Sequence, residues 1–171
     1  MSEISQILDC LRGTREETIL NKMEETYNHI SDVQNQWYSK SQFNCVEGCG
    51  ECCKNFEPDL LESEALYLAA WLLQNQNDVA QKIAQRIFPL PRDKGCQFWN
   101  KESNYHCTVY GGRPLICRLF GASGFYDKNS QVVFSPCKFY PAEKLSKLRF
   151  LYSINSIIKK KLKLYLVYCL L

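Results

Sequence analysis

Four cysteines fall within nine positions in the segment FNCVEGCGECCKN, residues 43–55. They are followed at wider spacing by four more, so that the set is Cys45, Cys49, Cys52, Cys53, Cys96, Cys107, Cys117 and Cys137. Thiols crowded in this way add little to packing and are prone to oxidation unless they share a ligand. The pattern therefore predicts a fold in which eight sulfurs from distant parts of the chain converge.

The rest of the composition is that of one globular domain. The chain has 171 residues, of which 46% are hydrophobic and 23% charged. A net charge of +3 with scattered lysines does not indicate a nucleic-acid partner. No apolar stretch approaches the roughly 20 residues of a transmembrane helix, and the opening MSEISQILDC does not resemble a secretory signal. We therefore expect a single cytoplasmic domain over residues 1–171 without a transmembrane segment.

In a reducing compartment, clustered cysteines favour a metal site over disulfides. Thiolates are soft ligands that suit both zinc and iron–sulfur clusters. Cys49 and Cys52 have the two-residue spacing of a ligand turn, and Gly50 between them is expected to supply a left-handed backbone angle. The adjacent pair Cys52 and Cys53 is hard to place on one tetrahedral ion because neighbouring side chains diverge. Either the cysteines divide between two centres, or one member of the pair lies outside the coordination sphere.

Hydrophobic periodicity predicts a mainly α fold with a small β-hairpin element. Helices over residues 14–38 and 142–171 are expected to flank a compact cysteine-rich metal-binding core at 45–137. Another helix follows Asp59, which is expected to form a capping box with Glu62. Short aromatic and β-branched runs on either side of the polar segment NKESN predict one hairpin, and residues 125–134 predict a second.

Three side chains near the cysteines carry charge or a ring nitrogen. Arg113 and Arg118 flank Cys117, and we expect both cations to lie beside the centre and stabilise its negative charge. His106 precedes Cys107 on an expected strand. Because side chains alternate along a strand, His106 is predicted to face away from Cys107 as a polar surface residue.

The segments CVEGCGECC, CQFW, HCTVYGGRPLICRLFG and SPC together resemble the bacterial cysteine-cluster family of YkgJ-like proteins, of the CxxCxxCC type. The resemblance covers roughly residues 45 to 137 and implies a bound zinc or iron. One departure is that three residues separate Cys45 from Cys49, where the family pattern has two.

The expected function is to bind a transition metal, an iron–sulfur cluster or zinc, through the clustered cysteines in a structural or redox-accessory role. The number of thiols favours iron by a small margin. The alternative is a redox-active iron–sulfur accessory of a protein-modifying enzyme, and a protein partner is expected. Because no phosphate loop, Ser-His-Asp arrangement or paired-carboxylate site is evident, we expect no catalytic activity of its own.

Overall fold

The computed structural model describes residues 2–41, 49–87 and 94–137, and within these ranges the chain is mainly helical. The helices are α1 Ser5–Cys10, α2 Arg15–Ser41, α3 Glu62–Asn75, α4 Asn77–Ala84 and α5 Leu115–Leu119, with a short 3₁₀ turn at Asn104–His106. Two strands, β1 Ala122–Tyr126 and β2 Val132–Pro136, pair antiparallel. The helix predicted over 142–171 lies outside the described residues. No helix in the described ranges has the length and apolar character needed to cross a membrane.

The long helix α2 forms where periodicity predicted it, and it continues to Ser41. Its start is fixed by Thr14, whose Oγ1 accepts the N–H of Glu17 at 3.1 Å. Glu16 and Glu17 place negative charge in the first turn, where it complements the helix dipole. The predicted helix over 14–38 is therefore confirmed, with one more turn at its carboxyl end.

The short helix α1 is held against α3 by polar contacts. The Trp71 indole donates to Glu3 Oε2 at 2.7 Å, and the Asn75 amide donates to the Glu3 carbonyl at 3.0 Å. Ile4, just before α1, is fully buried. The rings of Tyr27 and Tyr67 meet edge to face at 4.9 Å and join α2 to α3. Ile4, Tyr27 and Tyr67 form part of the core of one compact unit of the chain.

The chain divides into two compact units. The first comprises Met1–Tyr27 and Val46–Arg118, and it contains six of the predicted ligands: Cys49, Cys52, Cys53, Cys96, Cys107 and Cys117. The second comprises Asn28–Cys45 and Leu119–Leu171, and it contains both strands and Cys137.

The strand pair of the second unit falls where a hairpin was expected over 125–134. Its register pairs Ala122 with Pro136 and Tyr126 with Val132. The connecting turn is closed by Asp127, whose Oδ1 accepts the N–H groups of Asn129 and Gln131, each at 2.8 Å.

The other expected hairpin, around NKESN, is not built from regular strands. A single bridge joins Trp99 to Cys107. Between them the chain forms the 3₁₀ turn, in which Tyr105 and His106 have φ of +52° and +51°. Two successive left-handed residues interrupt an extended backbone, so the prediction of regular strands is wrong for this segment.

Candidate metal centre

Four of the predicted ligands line one cavity of about 130 Å³ in the first unit. They are Cys53, Cys96, Cys107 and Cys117. They come from three separate stretches of chain. Apolar side chains that include Phe56, Phe98 and Trp99 form most of the remaining wall, which also contains the charged residues Glu57 and Arg113. The folded chain thus brings distant thiols to one largely apolar space.

The adjacent cysteines occupy different surroundings. Cys53 lines the cavity, whereas Cys52 is exposed. Their sulfur atoms lie 3.7 Å apart. Cys53 is fixed by its own N–H, which donates to the carbonyl of Gly50 at 3.0 Å. The pair therefore extends from the cavity wall to the protein surface.

Gly50 lies where the cysteine turn meets the segment that carries Cys96 and Cys107. The Trp99 indole donates to the Gly50 carbonyl at 3.3 Å. A Cβ at Gly50 would lie only 2.1 Å from the Cβ of His106. Gly50 is not among the left-handed glycines, so the expectation of a left-handed angle there is wrong. The position requires glycine because no space exists for a side chain.

Cys117 is placed by α5, and a buried carboxylate fixes the start of that helix. Glu64 Oε1 accepts the N–H of Leu115 at 2.7 Å, and Oε2 accepts the N–H of Leu61 at 2.9 Å. One side chain thus binds the amino ends of both α3 and α5. The predicted capping box of Asp59 and Glu62 is wrong, because α3 begins at Glu62 and the residue that reaches back to its cap is Glu64.

Three of the thiols that line the cavity, those of Cys53, Cys107 and Cys117, have a raised pKa and hold their protons strongly. Burial, reinforced by the neighbouring Cys96, raises the pKa of Cys117 to about 12. Burial also raises the pKa of Cys107. The hydrogen bond between Cys52 and Cys53 raises the pKa of Cys53 and lowers that of Cys52, because the two sulfurs share a proton. A bound cation would therefore displace protons from these sulfurs.

Arg113 supplies positive charge to the cavity wall. Its charge lowers the pKa of Cys52, Cys107 and Cys117 and so opposes the effect of burial. The guanidinium lies 3.4 Å from the centre of the Tyr110 ring, and its Nε donates to the Tyr110 carbonyl at 2.9 Å. Arg113 is thus held in a fixed position beside the thiols.

Arg118 makes different contacts. Its Nε donates to the Arg113 carbonyl at 2.8 Å, a second nitrogen donates to the Gly111 carbonyl, and the guanidinium lies 3.9 Å from the centre of the Tyr27 ring. Arg118 is not part of the described cavity lining, and it fixes the backbone around Arg113 instead.

His106 lies in the cavity wall with Cys107, which sequence reasoning did not foresee. Its Nδ1 is buried and has no hydrogen-bond partner among the described residues. The predicted orientation away from Cys107 is wrong, because the left-handed angles at Tyr105 and His106 break the alternation on which it depended. The only signal in the sequence was that His106 directly precedes a candidate ligand.

The other candidate ligands include Cys49 and Cys52, which belong to the first unit but are not among the residues that line the cavity. Cys45 lies outside the described residues, and Cys137 belongs to the second unit. Within residues 2–41, 49–87 and 94–137, no three histidine, cysteine or carboxylate side chains are already arranged to hold an ion. The thiols share a cavity wall, and their donor chemistry fits zinc or iron, as does the unpaired ring nitrogen of His106.

Comparison with known proteins agrees with this chemistry. The CxxCxxCC family model, described as a "putative zinc- or iron-chelating domain", matches residues 44–147. No curated protein and no solved structure matches the chain. The family match covers more than half of the sequence and includes all eight predicted ligands. The resemblance expected from the cysteine pattern is confirmed, and the chain belongs to the CxxCxxCC family of zinc- or iron-chelating domains.

Proposed function

We propose that the protein binds one zinc ion or one iron–sulfur cluster in the cavity of the first unit, through the thiolates of its wall. The observation that carries this proposal is that Cys53, Cys96, Cys107 and Cys117 line one space of about 130 Å³. A closed thiolate site contributes folding energy directly, and iron would add one-electron transfer. The role is therefore structural or redox-accessory.

The surroundings of the thiols support metal binding in two ways. Burial holds Cys107 and Cys117 protonated in the metal-free protein, so a metal has to replace protons and its apparent affinity rises with pH. A divalent ion on four thiolates carries a double negative charge. The Arg113 guanidinium in the cavity wall offsets part of that charge.

Cys49 and Cys52 belong to the turn that leads into the cavity, so they are proposed to complete or exchange with the cavity ligands. Cys52 is the nearer candidate, because its sulfur lies 3.7 Å from that of Cys53. Coordination by Cys45 and Cys137 is a proposal that rests on the cysteine pattern alone.

The second candidate is a redox-active iron–sulfur accessory of a protein-modifying enzyme. Phe56, Phe98 and Trp99 favour it, since a wall of aromatic side chains limits the access of water and oxygen to a cluster. A catalytic activity of its own is not proposed.

Elemental and sulfide analysis of the full chain, purified without oxygen, tests the proposal. Zinc without labile sulfide would identify a zinc site. Iron with an equal amount of labile sulfide would identify an iron–sulfur cluster. Cys107→Ser should lose most of the metal because it removes a thiolate from the cavity. Cys10→Ser is the matched control, since Cys10 is exposed and lies outside the described lining. A wild-type protein without zinc or iron, or full metal content in Cys107→Ser and Cys117→Ser, would contradict the proposal.

A further inference from the structure

We propose that the Nδ1 atom of His106 is a metal ligand, so that the centre is a mixed sulfur–nitrogen site in which this ring takes the place of one cavity thiolate. The inference rests on the proposed function and specifies its donor set. Imidazole nitrogen binds zinc alongside thiolates, and it also replaces thiolate on some iron–sulfur clusters.

The first support is the unsatisfied ring nitrogen. His106 Nδ1 is buried and has no hydrogen-bond partner among the described residues. Burying a polar nitrogen without a partner is unfavourable, and such groups in folded proteins usually have a functional reason. His106 and Cys107 both line the cavity, so a metal there would supply the missing partner.

The second support is the direction of Nδ1. A Cβ at Gly50 would lie 2.6 Å from this atom, so Nδ1 faces the turn between Cys49 and Cys52. The absence of a side chain at Gly50 allows the His106 ring to pack this close to the cysteine turn. The His106 ring also packs against Trp99, whose ring centre lies 5.5 Å away in an edge-on arrangement.

The third support is the backbone. Tyr105 and His106 have φ of +52° and +51°, a conformation that is unfavourable for residues with side chains. Residues held in this way are concentrated at ligand sites, where the surroundings determine the conformation. Here the two angles turn the ring of His106 into the cavity wall that it shares with Cys107.

The charges fit a neutral nitrogen ligand better than a fourth thiolate. A divalent ion with three thiolates and one imidazole carries a single negative charge. Among the described lining residues the positive charge of Arg113 is offset by the carboxylate of Glu57, so a donor set with less negative charge needs less compensation from the cavity wall.

X-ray absorption at the K edge of the retained metal tests the donor set in the full wild-type chain. For zinc we expect a nitrogen at about 2.0–2.1 Å beside sulfurs at about 2.3 Å. An all-sulfur shell would overturn the proposal and leave the metal-binding function intact. A protein that binds neither zinc nor iron would overturn both.

A pair of histidine variants gives a second test. His106→Gln should lose the nitrogen contribution and bind the metal at least about tenfold more weakly. His29→Gln is the matched control, because His29 Nε2 is also buried without a hydrogen-bond partner among the described residues but lies on α2, outside the lining. Unchanged affinity in His106→Gln, or an equal loss in both variants, would overturn the proposal. If His106→Gln fails to fold, the wild-type absorption spectrum still decides.

Discussion

Gly50 occupies a position at which the turn of Cys49 and Cys52 touches the side chain of His106. The contact is so close that the Cβ of any other residue would overlap the imidazole ring and its Cβ. Gly13 differs, because it has φ of +82° and a Cβ added there would meet no other atom within 4 Å. Glycine is therefore required at position 50 because there is no space for a side chain, and it is favoured at position 13 because of the backbone conformation.

Gly50→Ala should destabilise the folded protein by about 1–3 kcal/mol, the usual cost of overpacking a filled site. It should also weaken metal binding, because the displaced His106 ring and the cysteine turn share the cavity region. Urea unfolding and metal titration measure the two effects. Gly13→Ala should cost about 1 kcal/mol through its backbone alone and leave metal affinity unchanged. Equal metal affinity in Gly50→Ala and the wild type would argue against this role of the contact.

At the scale of single residues, the cysteines could be identified as candidate ligands from the sequence, because their spacing is typical of a metal site. Four of them, Cys53, Cys96, Cys107 and Cys117, meet at one cavity. The sequence did not reveal His106 as a candidate ligand, because the prediction placed this residue on an extended strand. The left-handed angles that turn this side chain depend on tertiary contacts, which a residue pattern does not encode.

Among the helices, α5 has the most direct effect on the site, since it is only five residues long and carries Cys117. A helix of that length has little stability of its own. Its position depends on Glu64 of α3, whose carboxylate accepts the N–H groups of Leu115 and Leu61.

Glu64→Gln should destabilise the protein by about 1–3 kcal/mol, because an amide group offers one acceptor where the carboxylate supplies two to buried N–H groups. Movement of α5 should also lower metal affinity through Cys117. Denaturant unfolding and competition with a metal chelator measure these changes. Glu62→Gln, at an exposed position in the same turn, should change stability by less than about 0.5 kcal/mol. If both variants behave alike, the proposed link between α3 and α5 is wrong.

The helices were predictable in proportion to their length. Twenty-seven residues of α2 repeat their apolar pattern many times, so periodicity located it. The six residues of α1 do not complete two turns, and only the packing of Glu3 and Ile4 reveals why that helix forms. Around residues 96–110 the pattern of short apolar runs resembled strands, whereas hydrogen bonding produced a single bridge and a tight turn.

In the molecule as a whole, the folding stability of the metal-free protein depends on pH through its buried thiol and phenol groups. Burial raises the pKa of Cys117 from 9.0 to about 12 and the pKa of Tyr67 from 10.0 to about 12. The folded state therefore keeps these protons at a pH at which the unfolded chain has lost them. The stability that these groups contribute is complete below their pKa in the unfolded chain. It decreases as pH rises towards their pKa in the folded protein.

The metal-free protein, kept reduced and without oxygen, should lose stability as pH rises from about 9 to about 12. The urea midpoint measured across this window checks the expectation. The urea midpoint of Cys117→Ala should decrease less across this pH window than the urea midpoint of the wild type, measured under the same conditions. A wild-type midpoint that is constant or increases across the window would show that the buried thiol and phenol groups do not govern the pH dependence.

Trp99 gives this chain a built-in optical reporter. Its indole forms part of the cavity wall and is hydrogen-bonded to Gly50, while the other two tryptophans, Trp37 and Trp71, are outside the described lining. Replacing those two by phenylalanine would leave a single fluorophore in contact with the occupant of the cavity. Zinc has a filled d shell and would leave the fluorescence of Trp99 unquenched, whereas an iron–sulfur cluster would quench it. The fluorescence intensity would therefore distinguish the two occupants while they bind.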